Sequence, residues 1–335
     1  MKTLQDLIII NEDLTDESYG HYPYKRPIEA LLDHGIILLD KPSGPTSHEV
    51  VSWVRKMLQI NKAGHSGTLD PLVTGLLPVG LGDGTKALSV LLLGPKEYHA
   101  VARIHDPVSE TKLKRVLSEF TGEIYQRPPQ RSSVKRVVRT REIYNLEFVE
   151  QIGKLTLLRV LCQAGTYVRK LIYDIGEVLG PGATMIELRR TMVSNLSELD
   201  GLVRFHDLLE AVHEWKEEGR EDKIRNLIKP IEFATSSLKA VVIRDSAVDA
   251  ICHGAQLAVP GILQLSPDIV KGDIVCIYTL KKELVAIGEA LMPTKEIEDA
   301  SKGIAFLTKR VIMKAGTYPK LWHSKNLSNG SKDER

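Results

Sequence analysis

The chain has 335 residues, enough for about two domains. Hydrophobic residues make up 43% and charged residues 26%, a balance that supports packed cores and excludes a disordered or collagen-like chain. Lys+Arg 45 against Asp+Glu 43 leaves a formal charge of +2, so net charge by itself nominates no polyanionic partner and the distribution of charge has to decide.

Residues 1–30 are mostly polar, with aromatics and prolines in GHYPYKRP (20–27), and read as an extended arm lying on another surface. The arm's early apolar patch is broken by acids, unlike a signal peptide, and no apolar run approaches the ~18 residues of a membrane-spanning helix. Residues 36–39 (IILL) spell a short buried strand, then a Pro- and Gly-punctuated turn, then the capping-box pattern Thr46-Ser47-His48-Glu49. Val50, Val51, Val54, Met57 and Leu58 continue it as an amphipathic helix. Between residues 62 and 85 glycines alternate with apolar pairs, which predicts loops threaded by short strands.

A second amphipathic helix is marked by Leu113, Val116, Leu117 and Phe120. Strands follow around Tyr144, Leu146 and Phe148 and over residues 155–161. A helix then runs from Val168 to Leu179, stopped by Gly180 and Pro181. The charged run KEEGREDK (216–223) fits either a domain boundary or a solvated helix end. Beyond Leu238, short strands between turns predict a β-rich domain. Residues 324–335 have the composition of a disordered tail. Cys162, Cys252 and Cys276 form no CxxC pair, which argues for a reducing, intracellular compartment and against a disulfide framework or zinc site.

Three segments carry candidate chemistry. In GHSGTLDP (64–71), Asp70 precedes a proline that restricts its backbone; an Asx-turn aspartate and a catalytic one share this pattern, and His65 fits a backbone-bonded loop histidine equally. In QAGTYVR (163–169), extended geometry would put Tyr167 and Arg169 on one face. If Arg169 met Asp70 in a dry pocket, the carboxylate would stay ionised and able to act as a nucleophile; a structural salt bridge is the alternative. In YQRPPQRSSVKRVVRTR (125–141), Arg127, Arg131, Lys135, Arg136, Arg139 and Arg141 occur with no acid, as suits a phosphate backbone or a solvated strand. GDGTK (82–86) lacks the order of a nucleotide-cradling loop, and no cluster has metal-ligand spacing.

In order and spacing, LDKPSGPTSHEV (39–50), GHSGTLDPLVTGLLPV (64–79), KEY (96–98), QRPPQRSSVKR (126–136), AGTYVRKL (164–171) and LRRT (188–191) resemble the TruB-type pseudouridine synthases. DSAVDAICHGAQLAVPGI (245–262) with GTYPKLW (316–322) resembles a PUA domain, an RNA-binding β-barrel. Over nearly the whole chain the pattern is similar to the archaeal dyskerin-like synthases, catalytic subunits of H/ACA guide-RNA particles.

The resemblance implies an α+β fold: a mixed, largely antiparallel-sheet catalytic domain over residues 31–235 and a small PUA barrel over 236–323, with the arm (1–30) packing on the latter. It implies guide-RNA-dependent isomerisation of uridine to pseudouridine in rRNA, with tRNA as a further substrate, in the cytoplasm of an archaeal cell and without cofactor or metal. Asp70 would be the catalytic aspartate, Tyr98 would stack on the base, Tyr167 and Arg169 would line the pocket, Leu188 would pack on the base and His65 would help flip the nucleotide. His253, Gly254, Pro260 and Gly261 would contact the guide RNA, as would Arg127, Arg131, Lys135, Arg136 and Arg139. Implied partners are the guide RNA, the target rRNA and three small proteins of the particle: a zinc-ribbon-like protein, a glycine-arginine-rich-type protein and a kink-turn-binding ribosomal-type protein.

The sequence departs from the family pattern at Ser66, at Leu72 and over residues 192–195. It also lacks the long insertion after KEY that stand-alone bacterial tRNA enzymes carry, which favours guide dependence over stand-alone tRNA modification. The intact set Asp70, Tyr98, Tyr167 and Arg169 speaks against an idle RNA-binding scaffold.

Overall fold

Ile36, Ile37, Leu38 and Leu39 are all buried, and the strand they form, β1 (Gly35–Lys41), is covered on both faces. The turn after it leads into α1 (Ser47–Leu58). There the Thr46 hydroxyl accepts from the Glu49 amide while the Glu49 carboxylate accepts from the Thr46 amide, the capping box read from sequence. Val50, Val51, Val54 and Leu58 face the core.

The computed structural model describes residues 6–128 and 136–320. Arg26–Thr235 form one unit, and Met1–Lys25 with Ser236–Arg335 form the other. The glycine-rich stretch is more regular than its composition predicts. After the short β2 (Ala63–His65) it contains β3 (Thr74–Leu81), a strand whose last seven residues are buried. Glycine permits the close packing there: a Cβ on Gly75 would lie 2.3 Å from the Arg190 carbonyl oxygen.

The larger unit continues with β4 (Lys96–Ile104), α2 (Glu110–Glu119), β5 (Gly122–Gln126), β6 (Arg139–Ile152), β7 (Leu155–Cys162), α3 (Val168–Leu179) and β8 (Ala183–Val193). Its sheet runs β1-β3-β8-β4-β7-β6-β5, antiparallel except for the short β3–β8 pairing at Thr74–Arg189 and Gly75–Arg190. One core packs α1 and α4 (Phe205–Glu218) on β1 and β3, and a second packs α2 and α3 on β4, β6 and β7. The two cores meet where β3, β8 and β4 lie side by side.

The run at 216–223 is a solvated helix end inside this unit. Gly219 caps α4 in the left-handed region, and Lys223 pairs with Glu210 at 2.6 Å. Residues 82–88, the glycine-rich segment without nucleotide-loop order, form a short 3-10 helix.

The smaller unit builds its own core from β9 (Lys239–Ile243), α5 (Asp245–Cys252), β10 (Ile262–Leu265), β11 (Ile274–Tyr278), β12 (Leu284–Ala290) and β13 (Ile304–Val311). These strands form one sheet in the order β10-β9-β11-β12-β13, antiparallel except for β9–β11. The arm residues Ile8 and Ile9 pair with β10. Buried Lys281 donates to the Asp16 and Tyr19 carbonyls, and the Glu283 carboxylate accepts from the His21 amide and the Tyr318 hydroxyl. Among the described residues no helix is long and apolar enough to cross a membrane.

Candidate active site

Asp70 sits on a turn that is fixed from beneath. Lys41, at the end of β1, is fully buried, and its ammonium donates to the carbonyls of Pro42 at 2.9 Å, Pro71 at 2.8 Å and Val73 at 2.9 Å. Burial lowers the Lys41 pKa, and the charge of Asp70 acts in the opposite direction. The Ser47 hydroxyl, at the start of α1, donates to the Leu69 carbonyl and accepts from the Leu69 amide. The Val73 amide closes the turn onto the Asp70 carbonyl at 3.0 Å, with Pro71 at the turn's second position. These bonds hold the backbone on both sides of Asp70, whose side chain faces outward. Leu72, one of the departures from the family pattern, stands 75% exposed beside it.

The Asp70 carboxylate accepts from Arg169 Nη2 at 2.6 Å. The pair is joined as the sequence reading required, with two corrections. Arg169 lies within the first turn of α3 and Tyr167 is that helix's N-cap residue, so an extended strand does not align them. The pair is also open rather than dry: Asp70 is 59% and Arg169 60% exposed at the side chain. Water leaves this carboxylate only when something covers it.

Behind the pair stands a residue that sequence reasoning passed over. Arg190, on β8, is 1% exposed. Its Nε donates to the Leu76 carbonyl at 2.9 Å, its Nη2 donates to the Gly67 carbonyl at 3.0 Å, and its charge acts on Tyr98, its cross-strand neighbour on β4. Gly67, at φ +76°, places its backbone against this guanidinium. Arg190 therefore holds the segment leading to Asp70 by hydrogen bonds and acts on Tyr98 through its charge. Burial raises the Tyr98 hydroxyl pKa, with Arg190 opposing, so the phenol stays protonated. Tyr98 is half-buried and packs with Leu188, also half-buried, at the edge of the second core.

His65 ends β2 and meets His48 edge-on with ring centroids 5.1 Å apart. Burial first, then the charges of His48 and Arg190, push its pKa down to about 4, so the imidazole is neutral at working pH. Its Nδ1 is buried without a hydrogen-bond partner, so the backbone-bonded alternative does not describe that nitrogen. Ser66 is buried and donates from its amide to the Pro78 carbonyl at 3.0 Å.

Of the basic stripe, Arg127 and Arg136 are exposed and Arg139 half-buried at the start of β6, while Arg131 and Lys135 lie outside the described residues. In the smaller unit His253 and Gly254 are exposed just past α5, Pro260 is exposed, and Gly261 is half-buried. The His253 Nδ1 lies 2.8 Å from the Asp249 carbonyl oxygen.

Among the described residues Asp33, His34 and Asp83 gather closely enough to share an ion, a grouping invisible to local spacing. Asp83 already pairs with Lys86 at 3.1 Å and Lys62 at 3.5 Å, which supply the compensating charge. The short connection expected after KEY is present, with β4 ending at Ile104 and α2 starting at Glu110.

The site thus joins an exposed carboxylate to an arginine, and the charge of that carboxylate acts on a half-buried tyrosine at the centre of the sheet. Residues 55–168 match the TruB family pseudouridylate synthase N-terminal domain, 169–236 the tRNA pseudouridylate synthase B C-terminal domain, 239–312 a PUA domain and 1–51 the DKCLD (NUC011) domain. Together they define an RNA pseudouridine synthase with an appended PUA domain.

A probable tRNA pseudouridine synthase B of Methanocaldococcus jannaschii is 52% identical, with 96% of this chain and 95% of that protein covered. Its counterpart in Archaeoglobus fulgidus is 49% identical, with 96% and 98% covered. A chain from an H/ACA RNP bound to a substrate RNA containing 2'-deoxyuridine superposes with a TM-score of 0.89 at 47% identity, covering 95% of this chain and 97% of that one. A chain from a Cbf5-Nop10-Gar1 complex gives 0.89 at 49% identity, covering 94% and 96%. This chain belongs to the TruB family of pseudouridine synthases.

Proposed function

We propose that this synthase isomerises uridine in rRNA under the direction of an H/ACA guide RNA, with tRNA as a further substrate, and that Asp70 is its nucleophile. The Asp70–Arg169 ion pair at 2.6 Å carries the reading, because it fixes the direction of a carboxylate whose charge reaches Tyr98. Support for guide dependence comes from the short connection between β4 and α2 and from the likeness to chains of H/ACA particles over nearly the full length.

In this mechanism the target nucleotide leaves its stack and its base lies against Tyr98 and Leu188. Unstacking costs a few kcal/mol, and stacking on an aromatic face returns about 1–3 kcal/mol. The RNA covers the open carboxylate and excludes water, which strengthens the hold of Arg169 on its charge. Asp70 attacks the nucleoside, the N1–C1' bond breaks, the base turns, C5 bonds to C1', and the bond to Asp70 breaks to regenerate the carboxylate. The C5 proton leaves and N1 gains one, so the step needs no oxidant, metal or cofactor. Neutral His65 occupies space at the stack without adding charge.

The smaller unit holds the guide RNA through His253, Gly254, Pro260 and Gly261. Arg127, Arg131, Lys135, Arg136 and Arg139 hold RNA phosphates. The protein partners are the small proteins of such particles, of which Nop10 and Gar1 accompany the Cbf5 chain this protein resembles.

The test is pseudouridine formation in a matched target RNA, with and without guide RNA and partner proteins. Product that requires the guide is expected. Equal product on tRNA without any guide would move the protein to the stand-alone class.

A further inference from the structure

We infer that Gln126 is a positioning residue of the isomerisation, acting through the backbone of Tyr167 on the Asp70–Arg169 pair; this rests on the proposed roles of those two residues. Helix α3 begins without a side-chain cap from its own chain segment: Tyr167 holds the N-cap position at φ −93° and ψ 95° with a side chain that caps nothing. Uncapped helix starts leave backbone groups loose, and this helix carries Arg169 in its first turn.

Gln126, the last residue of β5, supplies the missing hold from another element. It is 2% exposed and spends both ends of its amide on one residue. Its Oε1 accepts from the Tyr167 amide at 2.9 Å, and its Nε2 donates to the Tyr167 carbonyl at 3.1 Å. That carbonyl also accepts the helix's first turn bond from the Leu171 amide at 3.0 Å. The amide orientation is fixed by these partners, since the flipped group would set NH2 against N–H and oxygen against oxygen.

The segment ahead of Tyr167 is held to β6 at Gln163, whose amide donates to the Glu142 carbonyl at 2.8 Å and whose Oε1 accepts from the Glu142 amide at 3.3 Å, four residues before Tyr167. From there the segment is a turn in which Gly165 takes φ +80° and Thr166 bonds back to the Gln163 carbonyl through both amide and hydroxyl. Gln126 therefore ties the Tyr167 peptide to the end of β5 through two hydrogen bonds, and it sets where α3 starts. The position of Arg169, and through it the direction of the Asp70 carboxylate, follows from that start.

A misplacement of about 1 Å at a reacting group costs up to 10²-fold in rate, so the effect belongs in the chemical step and not in RNA affinity. The experiment uses the full chain assembled with guide RNA and partner proteins, and compares wild type, Gln126→Leu, Gln126→Glu, Arg169→Lys, the Gln126→Leu/Arg169→Lys double variant and Asp70→Asn. Gln126→Glu keeps the acceptor for the Tyr167 amide but sets an oxygen against its carbonyl, and it decides the matter if Gln126→Leu does not fold. Single-turnover rate at saturating substrate, substrate affinity and melting temperature are read for each.

The expected result is a 10- to 100-fold slower rate with affinity within about two-fold of wild type, and a double variant little slower than Arg169→Lys alone. A folded variant at wild-type rate, a loss confined to affinity, or fully multiplicative losses in the double variant would overturn the inference. Should Asp70→Asn keep wild-type turnover, the proposed nucleophile fails instead. An inactive Asp70→Asn beside a fully active Gln126 variant would refute only the role of Gln126.

Discussion

Arg190 shows what a buried guanidinium accomplishes that an ammonium does not. Its planar fork donates to the Leu76 and Gly67 carbonyls at once, and its charge acts on Tyr98. In Arg190→Lys the single ammonium leaves at least one of these buried groups unsatisfied, at about 1–3 kcal/mol each. A denaturant midpoint lowered by the equivalent of about 2 kcal/mol is expected, with a turnover loss exceeding ten-fold because the segment leading to Asp70 loses part of its hold. Unchanged stability in urea titration would mean that the two carbonyl hydrogen bonds are not made in solution. Neither Arg190 nor Lys41 stands out in sequence: each is a cation inside a motif that reads as apolar or as surface charge. Their partners are carbonyls, which every residue carries, so residue identities give no hint of them. Asp70, by contrast, is legible because glycines before it and proline after it mark a special backbone.

His65 gives a pH signature. Its pKa is near 4 in the folded protein and near 6.5 in an unfolded chain, so between those values the unfolded state binds the proton that the folded state refuses. The stability it permits is fully present above pH 6.5 and is lost as pH falls toward 4. His65→Gln removes the titrating group, so the variant should lose less stability than wild type between pH 7 and pH 4.5 in paired urea titrations. Equal losses would contradict the burial of a neutral imidazole.

At the scale of elements, α1 and α3 begin in opposite ways. Helix α1 carries its own capping box, so Thr46→Ala should cost about 1 kcal/mol by thermal or chemical denaturation. No measurable change would mean that the Ser47–Leu69 hydrogen bonds fix the helix start unaided. The capping box is local in sequence, and its helix could be read from four residues. Helix α3, whose start at Val168 is legible in sequence, borrows its hold from Gln126, 41 positions away in the chain, which no local window contains. The strand β3 was hidden for a related reason. Its glycines, which in sequence resemble loop punctuation, serve close packing against β8 and the residues after β3.

Across the whole molecule, the order of motifs along the chain was the strongest signal, and it survived where local geometry was misread. The pairing of Tyr167 and Arg169 on an extended segment was wrong in form, yet Arg169 does meet Asp70, because the motif specifies a site and not a backbone shape. In the smaller unit Lys281 and Glu283 fall in one of the turns between strands, yet both are buried and hold the arm, whose residues lie more than 250 positions earlier. No window of sequence contains both halves of that contact.

Charge behaves the same way: a near-neutral chain concentrates cations between residues 127 and 141. Arg136→Ala should weaken RNA binding and reduce the slope of log affinity against log salt by about 0.7–0.9, the release of one phosphate contact. An unchanged slope would remove Arg136 from the RNA face.

The central claim is that Asp70, held by Arg169 and presented by the Lys41-braced turn, performs the chemistry. The direct measurement is single-turnover pseudouridine formation by Asp70→Asn in the guide-loaded complex, with target-RNA binding measured alongside. Asparagine keeps the shape and loses the charge, so binding within a few-fold of wild type and no detectable product are expected. Product at a rate near that of wild type would contradict the account and require another nucleophile.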